Sequence, residues 1–168
     1  MTTKITYEKL LTYAQYATAY INRGEKTKLA YAIERVGKKY PKYIKAYNEI
    51  TEERQAKISD AYTDFASEDA DKNIMRLIVK DEKGNVTYTE NKYTRENKKA
   101  CDEKIRNINK EYNNILQEFI YKEVEIEPCL TTSIPNNLTN QEIEAFTGII
   151  IEPLKVNLNG ESKHLQEA

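Results

Sequence analysis

The sequence predicts a mainly α-helical bundle with a long antiparallel helix pair, a small β-hairpin insertion and a short extended and helical C-terminal segment. Three observations predict it. Apolar residues recur at steps of three and four over several long stretches. The 168 residues include only five Gly and four Pro, so few positions interrupt a helix. Charged residues make up 32% of the chain and hydrophobic ones 39%, which suits helices that bury narrow stripes and solvate the rest.

The first helix spans 6–22, where Tyr7, Leu10, Leu11, Ala14, Ala17 and Ile21 form the apolar stripe and the chain breaks at Arg23-Gly24. On the same wheel Tyr13, Tyr16 and Tyr20 fall opposite that stripe. They give the helix a second non-polar face, either a contact surface or a face covered within the chain. A second helix over 25–39 uses Leu29, Ala32, Ile33 and Val36, and Pro41 opens the next as a first-turn proline.

From Pro41, the residues Ile44, Tyr47, Thr51, Arg54, Ile58, Ala61 and Phe65 form a heptad-like seam. A stricter one runs over 94–122 through Cys101, Ile105, Ile108, Tyr112, Ile115 and Phe119. At 1.5 Å per residue each helix is about 40 Å long, and an antiparallel coiled-coil pair is the expected arrangement.

Between them, Ile74, Leu77, Ile78 and Val79 precede Asp81-Glu82-Lys83-Gly84-Asn85, and Val86, Thr87, Tyr88 and Thr89 follow. This pattern predicts a β-hairpin over about 74–90. Val124–Pro128 alternates as an extended segment. Thr139 and Glu142 have capping-box spacing for a helix over 140–147, which Gly148 ends. Ile149, Ile150 and Ile151 then need burial in the bundle or in another subunit, which makes a homodimer an expectation. Residues 1–154 are expected to form one domain and 155–168 a flexible tail.

Net charge is −1, but it is distributed in blocks: 10 basic and 4 acidic residues over 1–50, 2 and 7 over 51–71, 11 and 6 over 72–110, and 3 and 10 over 111–168. Bulk charge therefore does not drive binding to nucleic acid. No apolar run reaches the length of about 18 residues that a membrane span needs, and Met1–Lys9 does not read as a signal peptide. A cytoplasmic protein is expected, without a membrane partner.

Catalytic patterns are sparse. The single His is His164, and no phosphate-cradling glycine motif is present, so no catalytic residue, cofactor or metal site is assigned and a non-enzymatic protein is expected. Cys101 lies on the helical seam as a structural thiol, and Cys129 has no evident basic partner. Glu123, Glu125 and Glu127, and separately Asp60, Asp64, Glu68 and Asp71, are spaced so that carboxylates could meet a divalent ion, although charge runs of this kind are ordinarily solvated faces.

Lys38, Lys39, Lys42 and Lys45 alternate with Tyr40, Tyr43 and Tyr47. This is a possible nucleic-acid contact, in which cations meet phosphates and rings meet bases. The competing reading is a partly buried tyrosine row with exposed lysines. Lys80, Lys83 and Lys92 form a lesser cluster.

The chain contains 20 Lys, 18 Ile, 15 Asn and 13 Tyr, residues with A/T-rich codons. With its paired helices and the segment Ile-Pro-Asn-Asn-Leu-Thr-Asn-Gln-Glu-Ile-Glu-Ala-Phe at 134–146, it resembles uncharacterised accessory proteins of bacteriophages and prophages. The resemblance implies a helper or host-interaction role. The expected function is a protein-interaction module, a phage-encoded inhibitor or modulator of a bacterial defence or host factor, with Tyr13, Tyr16 and Tyr20 as the partner-binding surface. A nucleic-acid-binding accessory protein, a phage assembly or scaffolding helper, and an enzyme using acidic residues and a divalent ion are the alternatives.

Overall fold

A computed structural model of the chain describes residues 1–154, so the tail expected at 155–168, with His164, lies outside the described residues. The mainly helical bundle is corrected. Of the described residues 53% are helical and 16% strand, and the four strands among them form two separate two-stranded antiparallel sheets. The described residues divide into two compact units, one of Met1–Tyr47 with residues 118–154, the other of Asn48–Gln117.

The first unit opens with a strand that the helical periodicity conceals. β1 (Thr3–Thr6) pairs with β4 (Glu123–Ile126), with Thr3 opposite Ile126 and Thr6 opposite Glu123. β-branched Thr3, Ile5 and Thr6 favour an extended chain, and the partner strand lies more than a hundred residues away. Thr6 then caps α1 (Tyr7–Ile21), its hydroxyl accepting from the Lys9 amide at 3.2 Å. Thr27 caps α2 (Lys28–Gly37) in the same way, at 3.1 Å from the Ala30 amide. A short α3 (Tyr40–Tyr43) starts around Pro41, and Ile44 separates it from α4 (Lys45–Asp64).

The core of this unit gathers Leu10, Tyr13, Ala17 and Tyr20 of α1, Leu29, Ile33 and Val36 of α2, Ile126, and Phe146 of α6 (Asn140–Phe146). Phe146 stands edge-on to both Tyr13 and Tyr20, with ring centroids 6.0 and 6.3 Å apart. Ile149, Ile150 and Ile151 are buried here. The Ile149 carbonyl accepts from Cys129 N–H at 3.0 Å, and that of Ile150 from Thr131 N–H at 2.9 Å. The isoleucines therefore need no second subunit, and the reason given for a homodimer is removed.

In the second unit α4 lies antiparallel to α5 (Arg95–Phe119). The Cys101 thiol donates to the Ala61 carbonyl at 3.5 Å and Arg54 donates to Asn113 at 3.4 Å. Ala61, Ile108 and Tyr112 are buried between them, with Ile50, Ile58 and Ile105 at the margin. The connection is a small meander. β2 (Arg76–Lys80) pairs with β3 (Val86–Asn91), and Glu68 bridges Ile74 on the other side. No helix among the described residues is long and apolar enough to cross a membrane.

Candidate functional site

The tyrosine stripe assigned to partner binding is not a surface. Tyr13 is 2% exposed, Tyr20 is fully buried and Tyr16 is half-buried, donating to Gln141 at 3.4 Å. The face of α1 turned to the core is that of Tyr7, Leu10, Tyr13, Ala17 and Tyr20, while Ile21 of the aliphatic stripe is exposed. A tyrosine ring removes more surface from water than an alanine does, so helix rotation follows the rings. Burial pushes the Tyr13 phenol far up from its ordinary value, and its hydroxyl has no hydrogen-bond partner among the described residues.

The lysine row lies on the first unit's surface, but two of its four members are engaged. Lys39 is hydrogen-bonded to Glu127 in an ion pair, which holds the Glu127 carboxyl below the usual carboxylate range. Lys45 has a partner of its own. Tyr43, between them in sequence, is buried with its hydroxyl accepting from the Glu127 amide at 3.0 Å. It offers no ring for stacking. In the terms of the competing reading, Tyr43 is buried, Tyr40 and Tyr47 are half-buried, and the four lysines are exposed.

The acidic candidates are not gathered. Glu127 serves Lys39, Glu125 accepts from the Thr2 hydroxyl at 2.5 Å, and among the described residues no three His, Cys, Asp or Glu side chains are placed to share a metal ion. Cys101 is fully buried, and burial pushes its thiol up, away from the reactive thiolate.

The surface that does collect unsatisfied apolar side chains is the hairpin of the second unit. Leu77 is 45% exposed, Ile78 61%, Val86 58% and Tyr88 56%. Register places Val79 opposite Tyr88 and Leu77 opposite Glu90. Leu77 and Tyr88 therefore share one face, and Ile78 projects from the other. A pair of strands cannot bury both of its faces.

The hairpin is held in shape by its loops. Asp81 accepts from the amides of Asn85 and Lys83 at 2.8 and 2.9 Å, with Gly84 at φ +81°. Asp69 does the same for Asn73 and Asp71, both at 2.9 Å, with Lys72 at φ +62°. The loops 69–73 and 81–85 are thus two copies of one device, an Asp whose carboxylate ties down the amides two and four residues on. At the base, three backbone bonds close a triangle: Ser67 N–H to Lys92 O, Lys92 N–H to Met75 O and Met75 N–H to Ser67 O, at 2.7, 2.8 and 2.8 Å.

The sequence places this hairpin but does not disclose its role. The signal is there: apolar residues on both sides of a Gly turn, with no further strand nearby to cover them.

No protein family, curated protein or solved structure matches the chain.

Proposed function

We propose that this chain is a non-enzymatic protein-interaction module whose contact element is the hairpin β2–β3. The observation that carries the reading is the exposure of Leu77, Ile78, Val86 and Tyr88 on a rigidly looped pair of strands. A contiguous exposed apolar patch marks an interaction surface, and Leu77 and Tyr88 are diagonal neighbours on one face of the hairpin. Tyr88 adds a large ring with a polar tip and few rotamers to lose, as interface anchors do. The partner is a protein of the bacterial cell, bound and occluded by the hairpin, and the Lys-, Asn-, Ile- and Tyr-rich composition supports an A/T-rich bacterial or phage source.

The test is a double substitution, Ile78→Thr with Tyr88→Thr, which keeps β-propensity and removes apolar surface. Tagged wild-type and variant chains with matching circular dichroism are used to capture proteins from a bacterial lysate. A protein retained by the wild type and lost by the variant supports the reading. An identical captured set from both chains overturns it.

A further inference from the structure

Beyond that reading, and sharing with its residues only Leu77, we propose that the second unit binds single-stranded nucleic acid in two adjoining hollows at the start of α5. The first, of about 820 Å³, is lined by Tyr62, Leu77, Glu90, Tyr93, Arg95 and Lys98 among others. The second, of about 500 Å³, is lined by Arg95, Lys98, Lys99, Asp102, Glu103 and Arg106. Arg95 and Lys98 line both, so the two hollows adjoin at these side chains.

Two of their cations stand where the helix dipole disfavours them. Arg95 and Lys98 occupy the first turn of α5, at the positive end of the helix dipole. Arg95 and Lys99 are like charges four residues apart. Only Lys98 is neutralised in an ion pair, by Asp102 at 2.8 Å; Arg95, Lys99 and Arg106 have no ion-pair partner among the described residues. Glu90 and Glu103 also line the hollows, so their cations outnumber their carboxylates by four to three. A polyanion threading past Arg95, Lys99 and Arg106 meets three cations that no ion pair occupies among the described residues.

Aromatic rings complete the chemistry. Tyr62 is 41% exposed. The Tyr93 hydroxyl donates to the Tyr62 carbonyl at 2.7 Å, fixing the second ring, over which the Lys98 ammonium lies 5.5 Å from the centroid. Cations that follow a phosphate backbone beside a ring free to stack are the components of single-strand recognition. A duplex keeps its bases stacked on each other and leaves such a ring unused.

The experiment is fluorescence anisotropy of a labelled oligothymidylate titrated with the full chain. Binding is expected at low salt. If about three phosphates are neutralised, it weakens roughly 20-fold between 50 and 200 mM NaCl. Arg95→Glu, Lys99→Glu and Arg106→Glu each weaken binding and flatten the salt dependence. Tyr62→Leu weakens it by at least about five-fold at unchanged salt dependence, because stacking is lost and charge is not. Lys42→Glu, on the first unit, leaves binding intact.

Absence of binding at low salt overturns the proposal. So does equal loss in Lys42→Glu and Arg95→Glu, equal affinity for duplex DNA, or indifference to Tyr62→Leu. Circular dichroism of each variant establishes that it is folded, and the three separate charge substitutions keep the test open if one of them does not fold.

Discussion

Arg23 and Glu142 are 119 residues apart in sequence and form an ion pair in which the Glu142 side chain is 4% exposed and that of Arg23 35%. Glu142 also closes the capping box of α6, because its other oxygen accepts from the Thr139 amide at 2.8 Å while the Thr139 hydroxyl accepts from the Glu142 amide at 3.2 Å. One carboxylate thus ties the end of α1 to the start of α6. Glu142→Ala removes both bonds and leaves Arg23 without its partner. It should cost about 2 kcal/mol in urea denaturation, a buried-pair loss reduced by the exposure of Arg23. Arg23→Ala keeps the cap and should cost less.

Tyr13 and Tyr20 give a matched pair with opposite signs. Both rings pack on Phe146, but the Tyr20 hydroxyl bonds to Thr27 at 2.9 Å and to Glu25 at 3.3 Å, while that of Tyr13 has no partner among the described residues. Tyr20→Phe should lose about 1 kcal/mol. Tyr13→Phe should leave stability unchanged or raise it by up to about 1 kcal/mol, since it deletes a buried donor with no acceptor. Thermal unfolding of both variants decides the matter, and a destabilised Tyr13→Phe would mean that the hydroxyl has a partner such as a buried water. Either tyrosine changed to Ala should cost about 3–5 kcal/mol through the cavity left behind.

The same two residues explain what the sequence can and cannot disclose. Helix periodicity places α1, α2 and α5 to within a few residues, and Thr139 with Glu142 marks the start of α6, because these signals are local. Local patterning does not state which way a helix with two apolar faces turns. That choice depends on Phe146, Ile149 and Ile150, all far along the chain. β1 is hidden for the same reason, since four residues before a helix become a strand only when β4 arrives beside them. The hairpin is legible from Gly84, but its twin loop at 69–73 carries Lys72 where glycine would have announced the turn.

Those twin loops differ usefully at their left-handed position. Gly84 at φ +81° adopts that conformation without strain, whereas Lys72 at φ +62° places a Cβ in the region that disfavours side chains. No atom stands within 4 Å of a Cβ built on Gly84, so Gly84→Ala tests backbone strain alone. It should weaken the hairpin by about 1 kcal/mol. Lys72→Gly should strengthen its own loop by about 0.5 kcal/mol, the relief of strain being partly offset by the greater freedom of unfolded glycine. Amide exchange at Met75 and Lys92, in the backbone triangle, is the local readout. It should slow in Lys72→Gly and quicken in Gly84→Ala.

Acid should open the loop at 81–85 in a defined direction. The Asn85 amide, followed by the Asn85 side chain and the Lys83 amide, holds the Asp81 carboxyl below the usual carboxylate range. A folded value below the unfolded one, about 3.9, means that this contribution is complete above the unfolded value. It disappears as the pH falls through the lower folded value. Proton NMR across that window should show the Asn85 and Lys83 amides losing protection together with protonation of the Asp81 carboxyl. In Asp81→Asn, which cannot ionise, their protection should be weaker at neutral pH and independent of acid over the same range. If the wild-type amides stay protected after Asp81 is protonated, the loop is held by the Asp81 N–H to Asn85 carbonyl bond at 2.9 Å and not by the carboxylate.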